Sequence, residues 1–119
     1  MSKTRGDRAE QAAANYLKRQ GLSIIERNYR CKGGELDIIA RDQQTLVFVE
    51  VRLRNNIDFG SALASIGPHK RARLIHTAGF YLQNNPKWRN SPCRFDVIAL
   101  QTRQLGLAKC QWLKNAFSL

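Results

Sequence analysis

Two carboxylates stand where a charge is hard to keep. Asp37 lies between Leu36 and Ile38-Ile39, and Glu50 closes the run Leu46-Val47-Phe48-Val49. A carboxylate beside so apolar a segment is partly desolvated unless it is paired or bound to a cation. Both segments read as strands. Residues two apart in a strand share a face, so Val47, Val49, Val51 and Leu53 form one apolar face. Leu46, Phe48, Glu50, Arg52 and Arg54 form the other, which turns charged in its carboxyl half. The short polar turn Asp42-Gln43-Gln44 predicts an antiparallel hairpin, which would bring Asp37 and Glu50 together. Adjacent carboxylates repel unless a cation bridges them. Hard oxygen ligands left open to water and substrate suit Mg²⁺, with Mn²⁺ as a substitute. Spacing alone does not separate this from pairing of Glu50 with Arg52 or Arg54 and of Asp37 with a lysine, because structural ion pairs cluster in the same way.

The composition narrows the setting. A chain of 119 residues is one domain, 1–119, long enough for a single core. With 43% hydrophobic and 24% charged residues it is a folded protein rather than a disordered one. Twenty Lys and Arg against nine Asp and Glu give a formal charge of +11. Such an excess attracts polyanions, and nucleic acid is the natural partner. The amino terminus, MSKTRGDRAEQ, has no apolar signal region. No apolar run approaches membrane-spanning length, so no membrane partner is expected. Cys31, Cys93 and Cys110 are scattered and form no CxxC pair; reduced thiols in the cytoplasm are the simple reading.

The elements that must position the carboxylates follow from periodicity. Ala9, Ala12, Ala13, Tyr16 and Leu17 make one helical stripe, with Ser2 or Thr4 to cap its start and Gly21 its end. Strands are predicted over 22–29, 35–41 and 45–54, with Lys32-Gly33-Gly34 as a turn. Residues 55–67 read as a loop with room for a short turn of helix. Pro68 opens a second helix whose apolar stripe is Leu74, Ile75, Ala78, Tyr81 and Leu82. Lys70, Arg71 and Arg73 crowd its first half, against the helix dipole, as a phosphate nearby would demand. Residues 84–92 read as a polar loop, 93–100 as a fourth strand and 107–113 as a fifth. The order αβββαββ predicts an α/β domain with a mixed central sheet flanked by helices.

A resemblance adds to this reading. Gly34-Glu35-Leu36-Asp37 followed by Phe48-Val49-Glu50-Val51-Arg52 resembles the D…ExK core of the PD-(D/E)xK nucleases. The wider pattern resembles the bacterial YraN-like proteins. It comprises Gly6 and Glu10, Ala13 to Leu17, Gly21, Arg27-Asn28-Tyr29-Arg30, Gly34 to Ala40, Val47 to Val51, Arg54, Phe59-Gly60, Lys70 and Arg94-Phe95-Asp96-Val97. A shorter form is similar to the archaeal Holliday-junction resolvases. The resemblance implies a restriction-endonuclease-like fold and a Mg²⁺-dependent endonuclease acting on DNA, branched or structured DNA included. It implies that Glu10, Asp37 and Glu50 face the metal, with the Val51 carbonyl a further ligand, and that Asp37, Glu50 and Arg52 carry the chemistry. Arg52, Arg54, Lys70, Arg71 and Arg73 would hold nucleic acid, DNA in preference to RNA. A homodimer is expected if the protein works as the resolvases do, since two symmetric cuts need two sites.

One position departs from the pattern: the ExK lysine is Arg52. Arginine supplies charge and a bidentate phosphate contact, but it cannot act as a base. Lys70 is a candidate substitute from another backbone position, against the plainer reading of a solvated helix residue. The alternative function is a binding module of the same fold with weakened chemistry. A basic adaptor for RNA or a protein is a third reading. His69 and His76 lack ligand partners at useful spacing. Trp88 and Trp112 read as base-stacking or core residues, and Asp96 as a structural acid pairing with Arg94 or a loop amide.

Overall fold

The computed structural model describes residues 5–54, 63–101 and 110–117. Helix α1, Arg5–Arg19, buries Ala9, Ala13 and Leu17 of the predicted stripe and Ala14 beside it, while Ala12 and Tyr16 of the stripe are half-buried. It ends where Gly21 adopts φ 96°, a conformation that costs a Cβ-bearing residue energy. The Gly21 amide donates to the Lys18 carbonyl and the Leu22 amide to that of Leu17, both at 3.0 Å, and Leu22 tucks into the core behind them. The expected caps Ser2 and Thr4 lie outside the described residues, as do 55–62 with Phe59-Gly60.

Strands β1 (Ser23–Cys31), β2 (Gly34–Asp42) and β3 (Thr45–Arg54) form an antiparallel meander. Helix α2, Pro68–Asn84, then carries the chain back so that β4, Cys93–Gln101, lies parallel to β3. Strand β5, Cys110–Phe117, closes a five-stranded mixed sheet in the order β1-β2-β3-β4-β5. The sheet faces are covered separately. Val47, Val49, Ile38, Ala40, Ile98 and Leu100 pack under α1, and Phe48, Leu46, Ile39, Phe95 and Val97 pack under α2.

The predicted element order is met with two differences. A 3₁₀ turn, Pro86–Trp88, interrupts the expected loop 84–92. The fifth strand runs over 110–117 rather than 107–113, with 107–109 outside the described residues. Its register is decided by tertiary partners: Phe117 stacks on Phe95 at 4.7 Å, and the buried Asp96 accepts hydrogen bonds from Trp112 Nε1 and the Asn115 amide, each 2.9 Å. Arg94 Nε completes the shell of Asp96 at 3.0 Å and reaches Asp42 through Nη2 at 2.9 Å. Asp96 is therefore structural. No helix among the described residues is long and apolar enough to cross a membrane.

The sheet is split at one place. The β2–β3 ladder runs from Asp42↔Thr45 to Ile38↔Val49 and stops, although β2 begins at Gly34 and β3 continues to Arg54. Meanwhile β2 stays paired to β1 as far as Gly34, and β3 to β4 as far as Arg54. A wedge thus opens between β2 and β3. Beside it, Asn28 takes φ 56° in mid-strand. Arg27 reaches Gln11 of α1, whereas Tyr29, two residues on, packs edge-to-face on Tyr81 of α2 at 5.1 Å. The left-handed residue between them breaks the alternation of faces.

Candidate active site

Asp37 and Glu50 stand at the mouth of this wedge. They are the next residues beyond the last ladder pair, so both project from the same end of the hairpin. Asp37 Oδ2 accepts the Val51 amide at 2.9 Å, a side chain standing where a strand carbonyl would otherwise pair. The Val51 amide beyond the last ladder pair is thereby satisfied. Glu50 is buried, at 5% exposure, beyond Phe48 on the α2 side.

The electrostatics follow from that placement. Burial raises Asp37 most; its hydrogen bond to Glu50 and the charge there raise it further, while the Val51 amide and Lys70 oppose them. The carboxyl is pushed up to about 8. A proton held between the two carboxyls is the alternative to a bridging cation. From α2, Lys70 Nζ comes within 3.1 Å of Glu50 Oε2 and is half-buried. That oxygen is at ion-pair distance yet makes no hydrogen bond with proper geometry. From α1, Glu10 faces the same charge: burial first, then Asp37, raises it to about 6, while Arg27 lowers it. Arg27 Nη2 lies 3.9 Å from Glu10 Oε1, which is buried and makes no hydrogen bond either.

The donor set fits a hard divalent cation. Two adjacent carboxylates are what Mg²⁺ ordinarily takes from a protein, the rest of its octahedron going to water and substrate phosphate, and Glu50 Oε2 is a buried oxygen without a hydrogen bond. No group of three or more His, Cys, Asp and Glu side chains among the described residues is close enough to form a cage. The carboxylates that could hold a cation are therefore Asp37 and Glu50, with Glu10 felt by charge from the α1 side.

The cations divide into two sets. Arg52 donates from Nε to Ser65 Oγ and from Nη2 to the Ser65 carbonyl, both at 3.0 Å, which fastens β3 to the segment before α2. Arg71 donates to the Ile66 carbonyl at 2.9 Å and lies over the Phe117 ring at 5.4 Å. Both are engaged within the fold. Lys70 faces Glu50, Arg73 is exposed one turn further on, and Arg54 is half-buried at the end of β3. His69 and His76 are exposed, and Trp112 is packed edge-on against Tyr16. Sequence reasoning did not find Arg27 and Gln11 beside Glu10, nor that Val51 contributes its amide; only chain crossing through space reveals either.

The chain has clear relatives. The model of the uncharacterised protein family UPF0102 matches residues 9–100. A UPF0102 protein of Pseudomonas putida strain GB-1 is 53% identical over 112 residues, covering 94% of this chain and 91% of the relative. One from Alcanivorax borkumensis is 47% identical over 115 residues, covering 97% and 92%. One from Nitrosococcus oceani is 47% identical over 113 residues, covering 95% and 90%.

Proposed function

We propose that this chain, which belongs to the uncharacterised protein family UPF0102, is a Mg²⁺-dependent endonuclease of restriction-endonuclease-like fold that acts on DNA, branched or structured DNA included. The observation that carries this reading is the meeting of Asp37, Glu50 and Lys70 at the split of the sheet. Asp37 and Glu50 would hold the cation, which when bound polarises the scissile phosphate and lowers the pKa of a coordinated water. Lys70 is the cation nearest these carboxylates; its ammonium would swing from Glu50 to offset charge on the phosphate and orient the attacking water. The strand position usual for that lysine is held by Arg52, whose guanidinium is fastened to Ser65. A lysine delivered from α2 thus serves in place of one on β3. The +11 charge supports a polyanionic substrate, and the three free cysteines suit a reducing cytoplasm. A homodimer would provide the two symmetric sites that paired cuts require.

The same commitment of Arg52 favours the second reading, a nucleic-acid-binding module with weakened chemistry. Purified protein incubated with branched and linear DNA in Mg²⁺, Mn²⁺ or EDTA decides between them. Metal-dependent nicking that is lost in Glu50→Gln, with binding retained, is the expected result. DNA binding without cleavage under every divalent ion leaves the module. Affinity that is absent at low salt overturns both.

A further inference from the structure

Beside the carboxylates an open cleft of about 600 Å³ runs between the β1–β2 turn and α2. Arg30 and Glu35 come from the hairpin, Lys70 and Arg73 from the helix, and Leu74 lies at its base. Lys70 is common to the cleft and to the ion pair with Glu50, so one leads into the other. We infer that this cleft binds the DNA phosphates flanking the scissile one, with Arg30 and Arg73 as their ligands. The inference rests on the nucleic-acid reading above and adds to it the path of the strand.

Three physical features support that path. The first is spacing. Lys70 and Arg73 are three residues apart on one helix, neighbours on its surface, so a phosphate at Lys70 places an adjoining one near Arg73. The second is availability. Arg30 pairs with Glu35 at 3.4 Å, but the side chains are 73% and 39% exposed. Such a surface pair contributes little and exchanges readily for a phosphate, to which a guanidinium binds through two parallel bonds. The third is rigidity. A Cβ on Gly34 would overlap Thr77 Oγ1 and come within 3.2 Å of the Arg73 carbonyl, so the hairpin lies directly on α2. The cleft is therefore formed before the strand arrives, and little ordering opposes binding.

The test is binding, measured in EDTA so that cleavage plays no part. Fluorescence anisotropy of a labelled DNA oligonucleotide would compare wild type with Arg30→Ala/Arg73→Ala. The charge-matched control is Arg41→Ala/Lys87→Ala, at the opposite end of the sheet. The cleft pair should weaken binding roughly 10- to 100-fold and reduce the slope of log affinity against log salt by about 2. The control pair should change affinity by less than about 3-fold, beyond the general attraction of net charge. Arg30→Lys/Arg73→Lys, which keeps both charges, should retain most of the affinity and guards against a folding artefact. An RNA oligonucleotide of the same sequence shows which backbone the cleft prefers; preference for RNA overturns the DNA assignment. Equal losses in the cleft and control pairs overturn the inference while leaving the nuclease reading intact. Selective loss in the cleft pair, from a wild type that never cuts in a separate Mg²⁺ assay, supports the cleft as the path of the phosphates and overturns the nuclease reading.

Discussion

Asp37→Asn in metal-free protein isolates the cost of the carboxylate pair. Burial and the neighbouring Glu50 push the Asp37 carboxyl up to about 8 in the fold from an ordinary 3.8. The folded state therefore holds more protons than the unfolded one between these values. Stability is fully present below the lower value, falls as pH rises through the window, and levels off above it. Asparagine keeps an oxygen for the Val51 amide, which the aspartate accepts at 2.9 Å, and its own amide can donate to Glu50. What it removes is the charge. Relief of one unfavourable buried group is worth about 1–3 kcal/mol. For a domain of this size each kcal/mol moves Tm by roughly 4 °C, so the variant should melt about 4–12 °C above wild type near pH 9. Near pH 5 the folded carboxyl holds its proton while the unfolded one is already mostly ionised, so the difference should be clearly smaller than near pH 9 and vanish only below the ordinary 3.8. Thermal unfolding by circular dichroism in EDTA at both pH values measures this. Mg²⁺ should raise the wild-type Tm and leave the variant's nearly unchanged. A variant less stable than wild type near pH 9, or one equally stabilised at both pH values, would refute the reasoning.

Four further outcomes are expected. Lys70→Ala should lower cleavage by about 10²–10⁴-fold, the scale of a positioned group in proton transfer. Arg52→Lys, which breaks both bonds to Ser65, should cost about 1–3 kcal/mol of stability without raising cleavage; single-turnover assays and urea melts read the two effects. Asp96→Ala should cost about 1–3 kcal/mol in urea melts, because it strands Trp112 Nε1 and the Asn115 amide and leaves Arg94 with Asp42 alone. Gly34→Ala should lift the hairpin from α2 and cost about 1–3 kcal/mol, seen as a lower Tm together with exposure of Thr77 to solvent exchange.

Local pattern was enough for the elements. The alternation through Leu46 to Arg54 set β3 to the residue, and the Ala9–Leu17 stripe set the buried face of α1. It also brought Asp37 and Glu50 to one end of a hairpin, since register follows from a short turn and a two-residue period. Family membership was legible for the same reason: its landmarks lie in order along the chain. The remainder depends on groups distant in sequence. Neither the β2–β3 split nor the left-handed Asn28 beside it has a local signature, because Asn tolerates that conformation without requiring it. β5 slid to 110–117 because Asp96 and Phe95, on another strand, decide which residues face them. The cations were separated in the same way. Arg52, Lys70, Arg71 and Arg73 are alike as sequence, and only packing shows that two are bound inside, one faces Glu50 and one lines the cleft. Periodicity is encoded by near neighbours and survives in a string of residues; the partner of a charge is decided by whatever the fold carries across to meet it.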